Sequence, residues 1–88
     1  MQKVKIVPVG TKTYQYQIFC PGCGYEHALS PKIHKLEGSV YHPTFYPSLL
    51  QLGDKRCHSF IKDGMIIFLK DCWHNLAGET VELPKIES

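Results

Sequence analysis

RCHSFIKDGMIIFLKDCWH, residues 56–74, reads as one β-hairpin with a cysteine near the outer end of each arm. Asp63-Gly64 sits between two runs rich in β-branched and aromatic residues. That is the strongest short-range hairpin signal, because a two-residue type I′ turn needs φ > 0 at both central positions. The register follows: Lys62 faces Met65, Phe60 faces Ile67, His58 faces Leu69 and Cys57 faces Lys70. Strand side chains alternate with period two. One face therefore carries Cys57, Ser59, Ile61, Ile66, Phe68, Lys70 and, if the arm continues, Cys72. The other carries His58, Phe60, Met65, Ile67, Leu69 and Asp71. The two cysteines share a face, and His58 and Asp71 are diagonal neighbours on the opposite one.

Outward from the hairpin the chain stays mainly β. Lys3 to Val9 alternates polar and apolar until Pro8 intrudes, which marks an edge strand. Gly10-Thr11 is a turn, and KTYQYQIF (residues 12–19) is a second strand with Tyr14, Tyr16 and Ile18 on one face. It runs into CPGCG (20–24) and leaves through Tyr25 to Leu29. Ser30 to Gly38 has no period and is expected to be a loop with one helical turn at most. Ser39 to His42 is expected to be a short strand. PTFYPSLL (43–50), with two prolines, is expected to be extended, irregular backbone. Gln51 to Lys55 is expected to turn around Gly53-Asp54. Asp71 is placed to N-cap a single helical turn through Asn75, with Gly78 just past its end. Thr80 to Leu83 is a last strand stopped by Pro84. The expected fold is a small, zinc-stabilised antiparallel β domain, a zinc-ribbon-like knuckle plus a β-hairpin, spanning residues 1–88 with at most one or two short helical turns.

A chain of 88 residues has room for one core and folds marginally on burial alone; natural examples often add a metal or disulfides. Ten Lys and Arg against eight Asp and Glu give a net charge of +2, too weak an excess to point to nucleic acid, and no basic cluster with interleaved aromatics occurs. No apolar run approaches the roughly 20 residues of a membrane span, and the N-terminus lacks a signal-peptide core. These features point to the cytoplasm, where four cysteines are metal ligands more often than disulfides.

CPGCG has the form of a zinc knuckle: two thiolates on a tight turn, glycine relieving its strain, and successive N–H groups aimed at the sulfurs. With Cys57 and Cys72 brought together by the hairpin, Cys20, Cys23, Cys57 and Cys72 make a tetrahedral four-thiolate set for one structural Zn2+ per chain. Two disulfides, or a Cys20/Cys23 redox pair with two buried thiols, are the competing readings. A redox CxxC normally opens a helix in a βαβ unit, and Gly22, Gly24 and the flanking strands argue against that.

Five histidines remain: His27, His34, His42, His58 and His74. Taken singly, each is most simply solvated or bonded to a carbonyl. His58 and Asp71 as a pair suggest more, since a carboxylate there fixes the imidazole tautomer in a nucleophile–base–orienter arrangement. Ser59 points away from His58, so Ser48, on the Pro-bounded segment, is the better nucleophile. The bland alternative is a Ser48 that caps the Pro47 turn beside a surface ion pair worth less than about 1 kcal/mol. From residues alone that alternative is the default. His74 follows the bend after Cys72; its direction is open, and it is a second candidate for the base or an alternative metal ligand.

The combination CPGCGYEHAL, PTFYPSLL and RCHSFIKDGMIIFLKDCWHNLAG resembles a small phage-encoded and bacterial family often labelled "ammonia monooxygenase", relatives of which accompany ubiquitin-like conjugation genes. The resemblance spans about residues 18–84 and rests on Cys20, Cys23, His27, Thr44, Ser48, Cys57, His58, Ser59, Asp63, Gly64, Asp71, Cys72 and His74. Tyr46 stands where many relatives have Ser, and His42 where Arg is common. The resemblance implies that the four cysteines hold metal. It also implies that Ser48, His58, Asp71 and His74 form a polar cluster, in a peptidase acting on ubiquitin-like proteins. Ammonia oxidation is physically unattractive, because a closed thiolate site leaves no position for oxygen chemistry.

Two expectations result. One is a zinc-stabilised, serine-peptidase-like hydrolase in which Ser48 attacks a carbonyl, His58 or His74 moves the proton and Asp71 orients the base. The other is a non-catalytic zinc-knuckle module that docks a protein partner through Tyr14, Tyr16, Phe45, Tyr46 and Trp73.

Overall fold

The computed structural model describes residues 2–52 and 55–86. Its eight strands form two antiparallel sheets. The first contains β1 (Lys5–Val9), β2 (Thr13–Cys20) and β3 (Tyr25–Leu29), in the order β1-β2-β3. The second contains β4 (Lys35–Gly38), β5 (Pro43–Gln51), β6 (Cys57–Lys62), β7 (Met65–Phe68) and β8 (Thr80–Glu82), also in sequence order. Every neighbouring pair is antiparallel; β7 and β8 are joined by the long segment 69–79.

The β6–β7 hairpin has the expected register, Lys62 opposite Met65 and Phe60 opposite Ile67. Asp63 and Gly64 have φ of 51° and 80°, the positive values a type I′ turn demands. The turn is tied to β5: the Asp63 N–H donates to Thr44 Oγ1 at 2.8 Å and the Gly64 N–H to the Pro43 carbonyl at 2.9 Å. Cys57, Ser59, Ile61, Ile66 and Phe68 are buried, while His58, Phe60, Met65 and Ile67 are half-buried or exposed, as period two requires.

Both sheets contribute to one apolar cluster, with Tyr16, Ile18, Cys20 and Leu29 from the first and Phe45, Leu49, Cys57, Ile61, Ile66 and Phe68 from the second. Tyr16 and Phe45 meet with ring centroids 5.3 Å apart. Lys3 is also buried; its Nζ donates to the Gly64 carbonyl at 3.0 Å and pairs with Glu82 at 3.1 Å.

Four local expectations need correction. Lys35–Gly38 is a strand, not loop, because it pairs along residues 43–46 of β5. Ser39 to His42 is not a strand: the Ser39 hydroxyl accepts the Tyr41 and His42 N–H groups and folds the segment into the β4–β5 turn. Pro43–Leu50 is a paired strand rather than irregular backbone; its irregularity is confined to a register shift between Phe45 and Leu49, where Tyr46–Pro47 is cis. After Asp71 there is no helical turn. The chain makes separate three-residue steps, Ala77 N–H to His74 carbonyl and Glu79 N–H to Leu76 carbonyl, and Asp71 is engaged elsewhere. The expected turn at Gly53-Asp54 lies outside the described residues.

Candidate functional site: a serine–histidine pair backed by a cysteine–histidine cluster

On the outer face of the second sheet, Leu50 pairs with His58 across β5 and β6. Ser48, two residues earlier, is therefore one diagonal step from the imidazole. Its Oγ lies 3.1 Å from His58 Nε2. The other ring nitrogen, Nδ1, lies 3.5 Å from Asp71 Oδ2. Arg56, also on the outer face by alternation, donates Nε–H to that same oxygen at 2.8 Å. A neutral imidazole with its proton on Nδ1 facing the carboxylate presents an Nε2 lone pair to the serine hydroxyl, the tautomer that general-base work requires. Ser48 and the His58 side chain are half-buried, so the pair is reachable from solvent. The Ser48 carbonyl is 3.4 Å from His34 Nε2. Ser59 is buried on the inner face, away from His58.

Cysteines and histidines gather on the inner side. All four cysteines are free thiols, so no disulfide staples the fold. The knuckle closes with the Gly24 N–H on the Cys20 carbonyl at 2.8 Å, and Gly24 takes φ of 81° to turn the chain into β3. Cys20 Sγ is 3.9 Å from Cys57 Sγ. Ligand atoms of Cys20, Cys23, His27 and Cys57 lie within 4.8 Å of one another, close enough to hold a metal ion. Cys57, Cys72 and His74 form a second such group. Burial pushes the Cys20 and Cys57 thiols up from their ordinary range, with neighbouring thiols adding to the rise; a cation between them would reverse that preference.

His74 belongs to the inner side and not to the pair on the outer face. It is buried, with Nε2 3.6 Å from Cys57 Sγ and its ring edge-on to Phe68 at 4.5 Å. Gly22 of the knuckle lies flat against the imidazole, and a Cβ there would overlap the ring. Burial lowers the His74 pKa. His27 was not among the residues expected to bind metal. It pairs with Ile18, so its side chain shares the buried face with Cys20; burial lowers its pKa, with His74 adding to the effect. Its signal lies in the β2–β3 register, which sets His27 on the face of Cys20 when counted back from the knuckle. Arg56 could have been read the same way, as the outer-face neighbour of His58.

Of the aromatic residues expected to dock a partner, Tyr16 and Phe45 are core, whereas Tyr14, Tyr46 and Trp73 are exposed. Tyr14 also lines a concavity of about 430 Å³ together with Val9, Gln15 and Pro31, to which neither Ser48 nor His58 contributes.

Fold and site define a small all-β protein with a Ser–His–carboxylate contact on one side of a sheet and a metal-competent cysteine–histidine cluster on the other. Residues 1–69 match the model of the family described as the bacterial ubiquitination-like system serine protease (BubE), and the chain belongs to that family. Asp71, Cys72 and His74 lie beyond the matched segment. No match is found among curated proteins or among solved structures. Among the described residues, no helix is long and apolar enough to cross a membrane.

Proposed function

We propose that this chain is a serine peptidase that cleaves a ubiquitin-like protein or its conjugates, with Ser48 as nucleophile, His58 as general base and Asp71 as the group that orients the base. The observation that supports this most is the 3.1 Å approach of Ser48 Oγ to His58 Nε2 with a carboxylate at the opposite ring nitrogen. Membership of a protease family of ubiquitination-like systems supports the reaction class and a protein substrate.

Ser48 Oγ adds to the scissile carbonyl as His58 Nε2 takes its proton. Asp71 faces the resulting imidazolium through Nδ1–H and keeps the ring turned toward Ser48. His58 then passes the proton to the departing amine, leaving an acyl group on Ser48. A water, deprotonated by the same nitrogen, releases the acid. Arg56 holds the carboxylate in place throughout.

The metal in this reading is one structural zinc per chain. The donor set fits it, because buried thiols and an imidazole whose Nε2 has no other partner suit a borderline-soft ion. Bound zinc would supply fixed geometry to the knuckle and to Cys57, the residue before His58. The setting is the cytoplasm of a bacterium or of a phage-infected host. The non-catalytic alternative draws on the exposed Tyr46 and Trp73 as anchors.

The test is incubation with a fusion carrying a ubiquitin-like domain, comparing the wild type with Ser48→Ala and His58→Ala. Cleavage lost in both variants, with binding retained, supports the assignment. Cleavage untouched by both changes rejects it, and binding without cleavage by the wild type favours the docking module.

A further inference from the structure

Six sulfur and imidazole donors crowd the inner cluster, and a tetrahedral ion takes four. Cys20, Cys23 and Cys57 are common to any arrangement that uses the knuckle, which leaves Cys72, His74 and His27 to compete for the last position. We infer that the ion is held by Cys20, Cys23, Cys57 and His27, with Cys72 and His74 outside the coordination shell as hydrogen-bonding groups.

The case against Cys72 is its place. Its sulfur groups with Cys57 and His74, not with Cys20, Cys23 and His27. It is turned to the His58 peptide instead, 3.3 Å from the His58 nitrogen and 3.0 Å from the His58 carbonyl oxygen.

The case against His74 is its tautomer. Nδ1 accepts the Leu76 N–H at 3.2 Å, so in the neutral ring the proton is on Nε2. Nε2 then has no lone pair for a metal and donates N–H toward Cys57 Sγ.

His27 shows the opposite condition. It is 4 % exposed, its Nε2 has no hydrogen-bond partner, and it lies in one group with all three remaining thiols. An unpartnered buried nitrogen is costly unless something fills it, and a metal bond does so.

The surrounding donors agree with this division. The Cys23 N–H points to Cys20 Sγ at 3.4 Å, Trp73 Nε1–H to Cys23 Sγ at 3.3 Å, and His74 Nε2–H to Cys57 Sγ at 3.6 Å. Each of the three thiolate ligands thus receives one N–H, the usual way of easing negative charge on metal-bound sulfur.

X-ray absorption on the zinc-loaded wild type reads the shell directly. The expected result is three sulfurs and one nitrogen, with the nitrogen retained in His74→Phe and lost in His27→Ala. Alkylation of the folded, loaded protein followed by mass mapping should modify Cys72 while sparing the other three, which become reactive on chelation. Cys72→Ser should keep about one zinc per chain, and His74→Phe should weaken zinc binding by about 10- to 100-fold. A four-sulfur shell overturns the inference, as does a nitrogen that disappears in His74→Phe, zinc lost from Cys72→Ser, or a protein that takes up no metal.

Discussion

Cys72 is fastened to the peptide of His58: its sulfur takes the His58 N–H at 3.3 Å and lies 3.0 Å from the His58 carbonyl. The residue before His58 is Cys57, which lies in the metal-competent cluster. His58 is therefore held on the inner side by two cysteines while its imidazole reaches outward to Ser48. The inner side therefore sets where the His58 peptide stands.

Cys72→Ala should consequently leave zinc content unchanged and reduce turnover of a ubiquitin-like fusion. Release of the His58 peptide costs alignment, and small misplacements of a reacting group cost up to about 10²-fold in rate. Parallel determination of metal content and kcat checks this; an unchanged kcat would show that the contact does not position the base.

Metal removal should act on folding. Zinc binding to a site of this kind is worth on the order of 10 kcal/mol, which in a core this small acts as folding free energy. A chelator is expected to abolish the cooperative unfolding transition followed by circular dichroism. Gly22→Ala should weaken the same site from within, because the new methyl overlaps the His74 ring. Overpacking of this sort costs about 1–3 kcal/mol, and denaturant titration of the zinc-loaded protein measures it.

Asp71 and Arg56 should differ in their effects. Asp71→Asn removes the charge facing His58 and favours the wrong tautomer, with a loss of kcat of up to about 10⁴-fold. Arg56→Ala removes only the Nε–H that holds the carboxylate, so its loss is smaller and a Lys replacement, lacking the fixed fork, restores it in part. Equal losses in the two variants would contradict this order of roles.

The Lys3–Glu82 pair gives a pH dependence. The hydrogen bond from buried Lys3, followed by its charge, lowers the Glu82 pKa below the ordinary value. As the pH falls, the unfolded chain binds a proton at this position before the folded chain does. The stabilisation is therefore complete above the unfolded carboxyl value of about 4.3 and is lost as pH falls through the lower, folded value. The difference in denaturation midpoint between wild type and Glu82→Gln should shrink across that interval; a constant difference would remove the pair from the acid limb.

Much of this was legible in the residues, and for identifiable reasons. Asp63-Gly64 admits one tight turn, and the alternation on either side assigns Cys57 and Ser59 inward and His58 outward. The same alternation turns Ser59 away from His58, which leaves Ser48 as the better placed of those two hydroxyls. Strands β4 and β5 were harder, because two prolines and a register shift hide the period of Pro43–Gln51, and Lys35–Gly38 is a strand only by virtue of its partner. His27 is recognisable only when the β2–β3 register is laid over the knuckle. Lys3 carried no local sign of burial; only the distant Gly64 and Glu82 explain it.

Labelling with a fluorophosphonate probe tests, without a substrate, whether Ser48 is the activated nucleophile proposed above. Mass mapping should find a single adduct on Ser48 in the folded, zinc-loaded wild type. His58→Ala should suppress its formation by about 10³-fold or more. A wild-type protein that stays unlabelled, or an adduct on Ser59 or any other residue, would rule out Ser48 as the nucleophile.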